Sequence, residues 1–185
     1  MIIGVINIKG GVGKTTSSLA IATAAQRSGL SVTVVDTDPQ GSATLWAQAA
    51  EDADDPLPFP VVSKNQAEIR RMRERRPDRD GELIVIDTPP NGAVVDEAIK
   101  TADFVVIPTL SSPIDLQQTM LTAAQCQDAG KDYAVLIVMA RKGTNALRAF
   151  RTAVEEYGAG IFDTEIPLRE DFKADFGHTF RSNLN

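Results

Sequence analysis

Ile2-Ile3-Gly4-Val5-Ile6-Asn7-Ile8-Lys9-Gly10-Gly11-Val12-Gly13-Lys14-Thr15-Thr16 opens the chain: a β-branched run that breaks into a glycine-rich loop. From Ser17 to Ser28 the residues Leu19, Ala20, Ala22 and Thr23 recur at helical spacing, and Gly29 supplies the left-handed stop expected just past a helix. Ser31-Val32-Thr33-Val34-Val35 then reads as a second buried strand that halts at Asp36. Strand, loop, helix and strand in this order make one βαβ unit.

The pattern repeats outward. Ser42 to Ala50 reads as a short helix, and Glu51 to Pro60, with four acids and three prolines, as a turn-rich connection. Val61-Val62 is a weak strand, Ala67 to Arg76 a charged helix closed by Pro77, and Leu83-Ile84-Val85-Ile86 a buried strand ending at Asp87. Phe104–Ile107, Ala134–Val138 and the shorter Gly160–Phe162 continue the strands, with helices near 93–101, 114–129 and 145–157 between them. The expected fold is α/β: a doubly wound, mostly parallel sheet with helices on both faces and ligands at the carboxyl ends of its strands. With 185 residues, 43% of them apolar, residues 1–185 are expected to form one domain.

Composition excludes several classes. The single cysteine, Cys126, rules out a disulfide framework within the chain and reads as a small core residue. The first apolar run is too short for a signal segment, and nowhere do 18 uncharged apolar residues run together. A cytoplasmic protein without a membrane partner is expected. Net charge is -6, yet residues 61–80 carry seven basic and four acidic groups, so a local basic surface remains open. The only histidine, His178, has no acidic neighbour in sequence, which argues against a catalytic role.

The glycine loop carries the chemistry. Gly10, Gly11 and Gly13 let successive backbone N–H groups point inward, so that loop and helix N-terminus together cradle phosphate oxygens. Lys14 adds a charge for the β and γ phosphates, and the Thr15 hydroxyl is suited to a magnesium ion. Asp36 and Asp38 leave the second strand at the same sheet edge, where a carboxylate can hold metal-bound water or orient an attacking water. Asp87, at the end of a buried strand, is placed to work with Thr15 and the metal.

In one place the loop departs from the general phosphate-loop pattern, which has glycine where this chain has Ile8. The run Lys9-Gly10-Gly11-Val12-Gly13-Lys14-Thr15-Thr16, with Asp36-Thr37-Asp38-Pro39-Gln40-Gly41 and Asp87-Thr88-Pro89-Pro90, resembles the deviant P-loop ATPases of the ParA/MinD group. The resemblance implies ATP and Mg2+ as cofactors and residues 9–16 as the nucleotide loop. It implies Thr15, Asp36 and Asp87 around the metal, and Asp38 as the residue that positions the water. It also implies a homodimer formed on ATP binding, in which Lys9 reaches the partner's phosphates, and a switch-like role for the Pro89-Pro90 loop.

Within the group, Arg181-Ser182-Asn183-Leu184-Asn185 lacks the apolar face of a MinD-type membrane helix, and one cysteine cannot serve an iron–sulfur relative. Biosynthetic relatives of the dethiobiotin-synthetase sort typically lack the D-x-D-P-Q-G run. The resemblance then points to a small ParA-type ATPase for plasmid or chromosome partition. Such a dimer coats DNA without sequence preference, lies on the nucleoid when ATP-bound, and is released by a centromere-binding ParB-like protein. A ParA-like ATPase that positions a protein cargo or organelle is the alternative, and a metabolic ATP-dependent enzyme a third reading. Contacts to DNA need only Lys and Arg. By resemblance they fall on Arg148, Arg151, Arg169, Lys173 and Arg181. The denser run Arg70, Arg71, Arg73, Arg75, Arg76 and Arg79 reads instead as a solvated helix face. Segments near Arg141-Lys142 and Ile166–Arg169 are the expected base contacts.

Overall fold

The structure, a computed structural model, describes residues 1–74, 81–168 and 177–180. Its elements in chain order are β1 (Ile2–Val5), α1 (Lys14–Arg27), β2 (Ser31–Asp36), α2 (Ser42–Asp52), β3 (Val61–Ser63) and α3 (Gln66–Glu74). There follow β4 (Glu82–Asp87), α4 (Ala93–Thr101), β5 (Phe104–Thr109), α5 (Pro113–Asp128), β6 (Asp132–Ile137) and α6 (Asn145–Glu156). Six strands form one sheet in the order β3-β2-β4-β1-β5-β6, and every pairing is parallel.

Alternation along the strands sends side chains to two cores. Ile2, Val35, Ile86, Val105, Ile107, Val135 and Ile137 pack with Ile69 of α3, Ile99 of α4, Ala123 and Cys126 of α5, and Phe150 of α6. Val5, Val32, Val34, Leu83 and Val85 pack on the opposite face with Leu19 of α1, Trp46 of α2, Phe59 and Phe180. Burial on both faces is why these strands read as unbroken apolar runs. Cys126 is fully buried, and burial pushes its thiol up to about 12, so it serves as core. No helix among the described residues is long and apolar enough to cross a membrane.

The expected elements are present, with two adjustments. Helix α1 begins at Lys14 rather than Ser17, because the loop itself turns directly into the helix. The seventh strand contracts to a bridge at Ile161, which pairs in parallel with Val135. The end of the charged helix and its Pro77 stop lie outside the described residues.

Register decides what meets at the carboxyl edge. Val5 and Asp36 both stand level with Asp87, so the glycine loop, the Asp36–Gly41 loop and the Asp87–Pro90 loop emerge side by side. Beyond β6, Ala140 bridges to Pro167, which brings 139–141 and 166–168 together at the same edge.

At Gly160 the backbone conformation suits any residue, but an added Cβ would lie 2.9 Å from the Tyr133 carbonyl oxygen. Gly160→Ala should therefore lower the unfolding free energy by about 1–3 kcal/mol through overpacking against backbone. A denaturant midpoint equal to wild type would show that this edge yields freely.

Candidate functional site

The glycine loop is a cradle in the literal sense. Gly11 and Gly13 have φ of 74° and 73°, and a Cβ added at Gly10 or Gly11 would meet nothing within 4 Å. Helix α1 starts from Gly13 with no side-chain cap and no acid in its first turn. By contrast α5 and α6 are capped by Ser112 and Thr144, whose hydroxyls accept from Asp115 N and Leu147 N. The first-turn N–H groups of α1 are thus left for an anion. Val12 is 1% exposed, so it offers backbone only.

A cleft of about 430 Å³ opens over this loop. Gly10, Gly11, Gly13, Lys14, Thr15 and Thr16 line one wall, and Asp38, Ser42, Trp46, Thr88 and Pro90 line the other. Lys14 is largely buried, with its ammonium donating to the Lys9 carbonyl at 2.9 Å. Burial lowers its pKa, against the opposing pull of Asp87 and Asp38. An ammonium held this way gains from phosphate charge.

Asp87 lies behind the cleft with 0% exposure. Its Oδ2 accepts the Thr15 hydroxyl at 2.7 Å and its Oδ1 the Ser18 hydroxyl at 2.9 Å. Burial pushes its pKa from 3.8 up to about 6, partly offset by these two donors and Lys14 and reinforced by Asp36. Among the described residues no group of three or more His, Cys, Asp or Glu could cage a metal. That suits Mg2+, which keeps much of its water and shares substrate phosphates. Thr15 would hold it directly, with Asp87 behind, and the ion would neutralise charge on the phosphates.

Asp36 is engaged by α2. Its Oδ2 accepts both the N–H and the hydroxyl of Thr44, at 2.9 and 2.8 Å, and its Oδ1 the Asp38 N–H at 3.1 Å. Asp38 caps its own turn, accepting from Gln40 N at 2.9 Å, and stays partly exposed on the cleft wall. The Lys9 carbonyl takes the Lys14 ammonium, but the Lys9 side chain is engaged elsewhere. The Lys9 N–H is held by Asn7 Oδ1 at 2.9 Å and its ammonium pairs with the buried Asp115 at the start of α5.

Of the five candidate cations for DNA, the described residues include Arg148 and Arg151. Arg148 is exposed and donates to the Gly143 carbonyl at 3.0 Å. Arg151 is an internal brace, reaching Glu165 at 3.2 Å and the Phe162 carbonyl at 2.9 Å. Arg169, Lys173 and Arg181 lie outside the described residues, as do Arg75, Arg76 and Arg79. Arg70 and Arg73 both pair with the buried Glu97 of α4. His178 does have an acidic partner, distant in sequence: its Nδ1 is 3.4 Å from Asp55 Oδ2.

Sequence reasoning missed Ser18, Thr44, Trp46, Asn7 and Asp115. Ser112-Pro113-Ile114-Asp115 carries a helix-start signal, but its link to Lys9 spans 106 positions and has no local trace.

Asp87→Asn gives a pH test. The folded wild type binds the proton more tightly than the unfolded chain, so Asp87 costs stability increasingly as pH rises from 3.8 to about 6. Without metal or nucleotide, the variant should gain on wild type across that window and lose the Mg2+ dependence of nucleotide binding. A constant stability difference across the window would contradict the assignment.

With this geometry in hand, comparisons place the chain. Residues 3–179 match the CobQ/CobB/MinD/ParA nucleotide binding domain. The chain is 30% identical over 179 residues to maintenance of carboxysome distribution protein A of Halothiobacillus neapolitanus, covering 92% of this chain and 81% of that protein. It is 26% identical over 193 residues to Protein ParA of Rhizobium radiobacter, covering 100% of this chain and 85% of that protein. The solved structure of Cyanothece apo McdA superposes with a TM-score of 0.77 at 17% identity, over 95% of this chain and 89% of that one. The chain belongs to the CobQ/CobB/MinD/ParA nucleotide-binding family, as one of its P-loop ATPases, with ATP and Mg2+ the nucleotide and metal that its cleft fits.

Proposed function

We propose that this chain is a ParA-type positioning ATPase whose ATP-bound form is a homodimer. In that dimer Lys9 of each copy contacts phosphates held by the other, Asp38 positions the attacking water, and Asp36 supports the metal shell from one layer out. The observation that carries the reading is the pair of lysines. Lys14 sits within the cradle, while Lys9 lies outside the cleft lining with its side chain 29% exposed and braced by Asp115. A cation so placed is suited to phosphates that approach from another chain, as an arginine finger is. The base would lie beside Gly13, where Val138 packs near the loop and 139–141 meets 166–168.

For the cargo, we favour a protein assembly carried over the nucleoid. Likeness to two proteins named for carboxysome distribution, at 30% and 34% identity, supports this. Partition of plasmid DNA with a ParB-like partner is the second reading, supported by the likeness to Protein ParA. Both place the ATP-bound dimer on DNA, and Arg148 is the exposed described candidate for phosphate contact.

Two measurements follow. Lys14→Ala should abolish ATP binding, whereas Lys9→Ala should bind ATP and fail to form the ATP-dependent dimer in sedimentation. Equal loss of ATP affinity in both would contradict the role of Lys9 across the interface. DNA binding should require ATP and weaken steeply with salt. Binding that ignores ATP or salt would remove the nucleoid from the account.

A further inference from the structure

Trp46, the only tryptophan of the chain, lines the cleft beside Asp38 and Ser42 and is 5% exposed. The segment Gly177–Phe180 crosses α2 there: the indole N–H donates to the His178 carbonyl at 3.0 Å, and the ring lies 5.5 Å from that of Phe180, tilted by 38°. Phe180 is itself only 1% exposed.

This strap is fastened on both sides. Thr179 N–H donates to Asp55 Oδ2 at 3.1 Å, in the turn that follows α2, and the Thr179 hydroxyl lies near the carbonyls of Asp55 and Pro56. The backbone donor holds the Asp55 carboxyl below its usual range. The Arg27 guanidinium at the end of α1 donates to the Phe180 carbonyl. Gly177 has φ of 77° and presses on the helix, since an added Cβ would lie 2.9 Å from Ala49 Cβ.

Helix α2 starts where the catalytic turn ends. Gly41 N–H donates to the Asp38 carbonyl at 2.8 Å, and Thr44 is clasped by Asp36. Trp46 is about 6 Å along the axis from Ser42 at the usual helical rise. A shift of the helix at Trp46 is therefore passed rigidly to the Asp38 turn. The phosphate loop has a second anchor of its own, the Thr15 and Ser18 hydroxyls on Asp87.

We propose that Trp46 is a positioning residue for hydrolysis: the strap holds the indole, the indole holds α2, and α2 holds the Asp38 turn over the phosphate cleft. The inference rests on the reading of Asp38 as the water-positioning residue. It assigns the strap a larger effect on turnover than on ATP capture.

Phe180→Ala, Trp46→Phe and the double variant test it, with kcat, ATP Kd and melting temperature measured on each. Each single variant should lose about tenfold in kcat, within the range that a small misplacement costs, and in Phe180→Ala, which leaves the cleft lining intact, ATP Kd should be nearly unchanged. The double variant should be no slower than the worse single one, because both break one connection. Phe180→Leu, which refills the pocket, should recover most of the rate. Wild-type kcat in folded single variants, a parallel loss of ATP affinity in Phe180→Ala, or multiplicative effects in the double variant would overturn the proposal. If Phe180→Ala does not fold, Asp55→Ala loosens the strap at an exposed anchor and is held to the same outcomes. Asp38→Ala separates the two readings. If it abolishes turnover while the strap variants keep theirs, the strap inference alone fails; if it turns over at the wild-type rate, the Asp38 reading fails.

Discussion

The active edge of this protein depends on one buried carboxylate. Asp87 has no access to solvent, and two hydroxyls from the first five residues of α1, Thr15 and Ser18, satisfy its oxygens. Burying a carboxylate is costly unless donors meet it. Here the donors come from the helix that follows the glycine loop, so β4 and the start of α1 are pinned to each other. The loop between β1 and α1 must then curl over that junction. The Thr37 hydroxyl donates to the Asp87 carbonyl and the Thr88 hydroxyl to the Val5 carbonyl, which ties the three strand ends into one platform.

Two kinds of contact are built on that platform. Lys14 and the open backbone of Gly10 and Gly11 face the cleft. Lys9 and Asp38 are carried on segments with outside supports: Asp115 of α5 for the one, α2 and its strap for the other. The division suits an enzyme in which capture of nucleotide and its hydrolysis are separately controlled. On the proposed reading, capture belongs to groups pinned by Asp87 at the centre of the sheet, and hydrolysis to groups braced by α5 and α2.

The same division marks what could be read from sequence. Apolar runs and glycine stops are local, and the six parallel strands and their helices were legible from them. So was the meeting of Thr15 with Asp87, because a strand-end acid and a loop hydroxyl have few places to go in a doubly wound sheet. The short strand expected at Gly160–Phe162 shrank to one bridge because the chain bends at Asp163 directly after it. Contacts between distant segments left no local trace. Arg151 looked like a free cation and is held by Glu165, and His178 looked isolated and lies against Asp55. Nothing near Trp46 in the sequence singles it out, yet it lines the cleft and donates to the His178 carbonyl.

The central claim, that two copies complete each other's active sites, is tested most directly by mixing two inactive variants. Lys9→Ala chains keep Asp38, and Asp38→Ala chains keep Lys9. A mixed dimer would hold one site with its own Asp38 and the partner's Lys9, both intact. Equal mixing should restore ATPase activity well above that of the two variants measured separately and no more than about half the wild-type rate, because each mixed dimer holds one complete site of two. A mixture no more active than the two variants measured separately would contradict the claim.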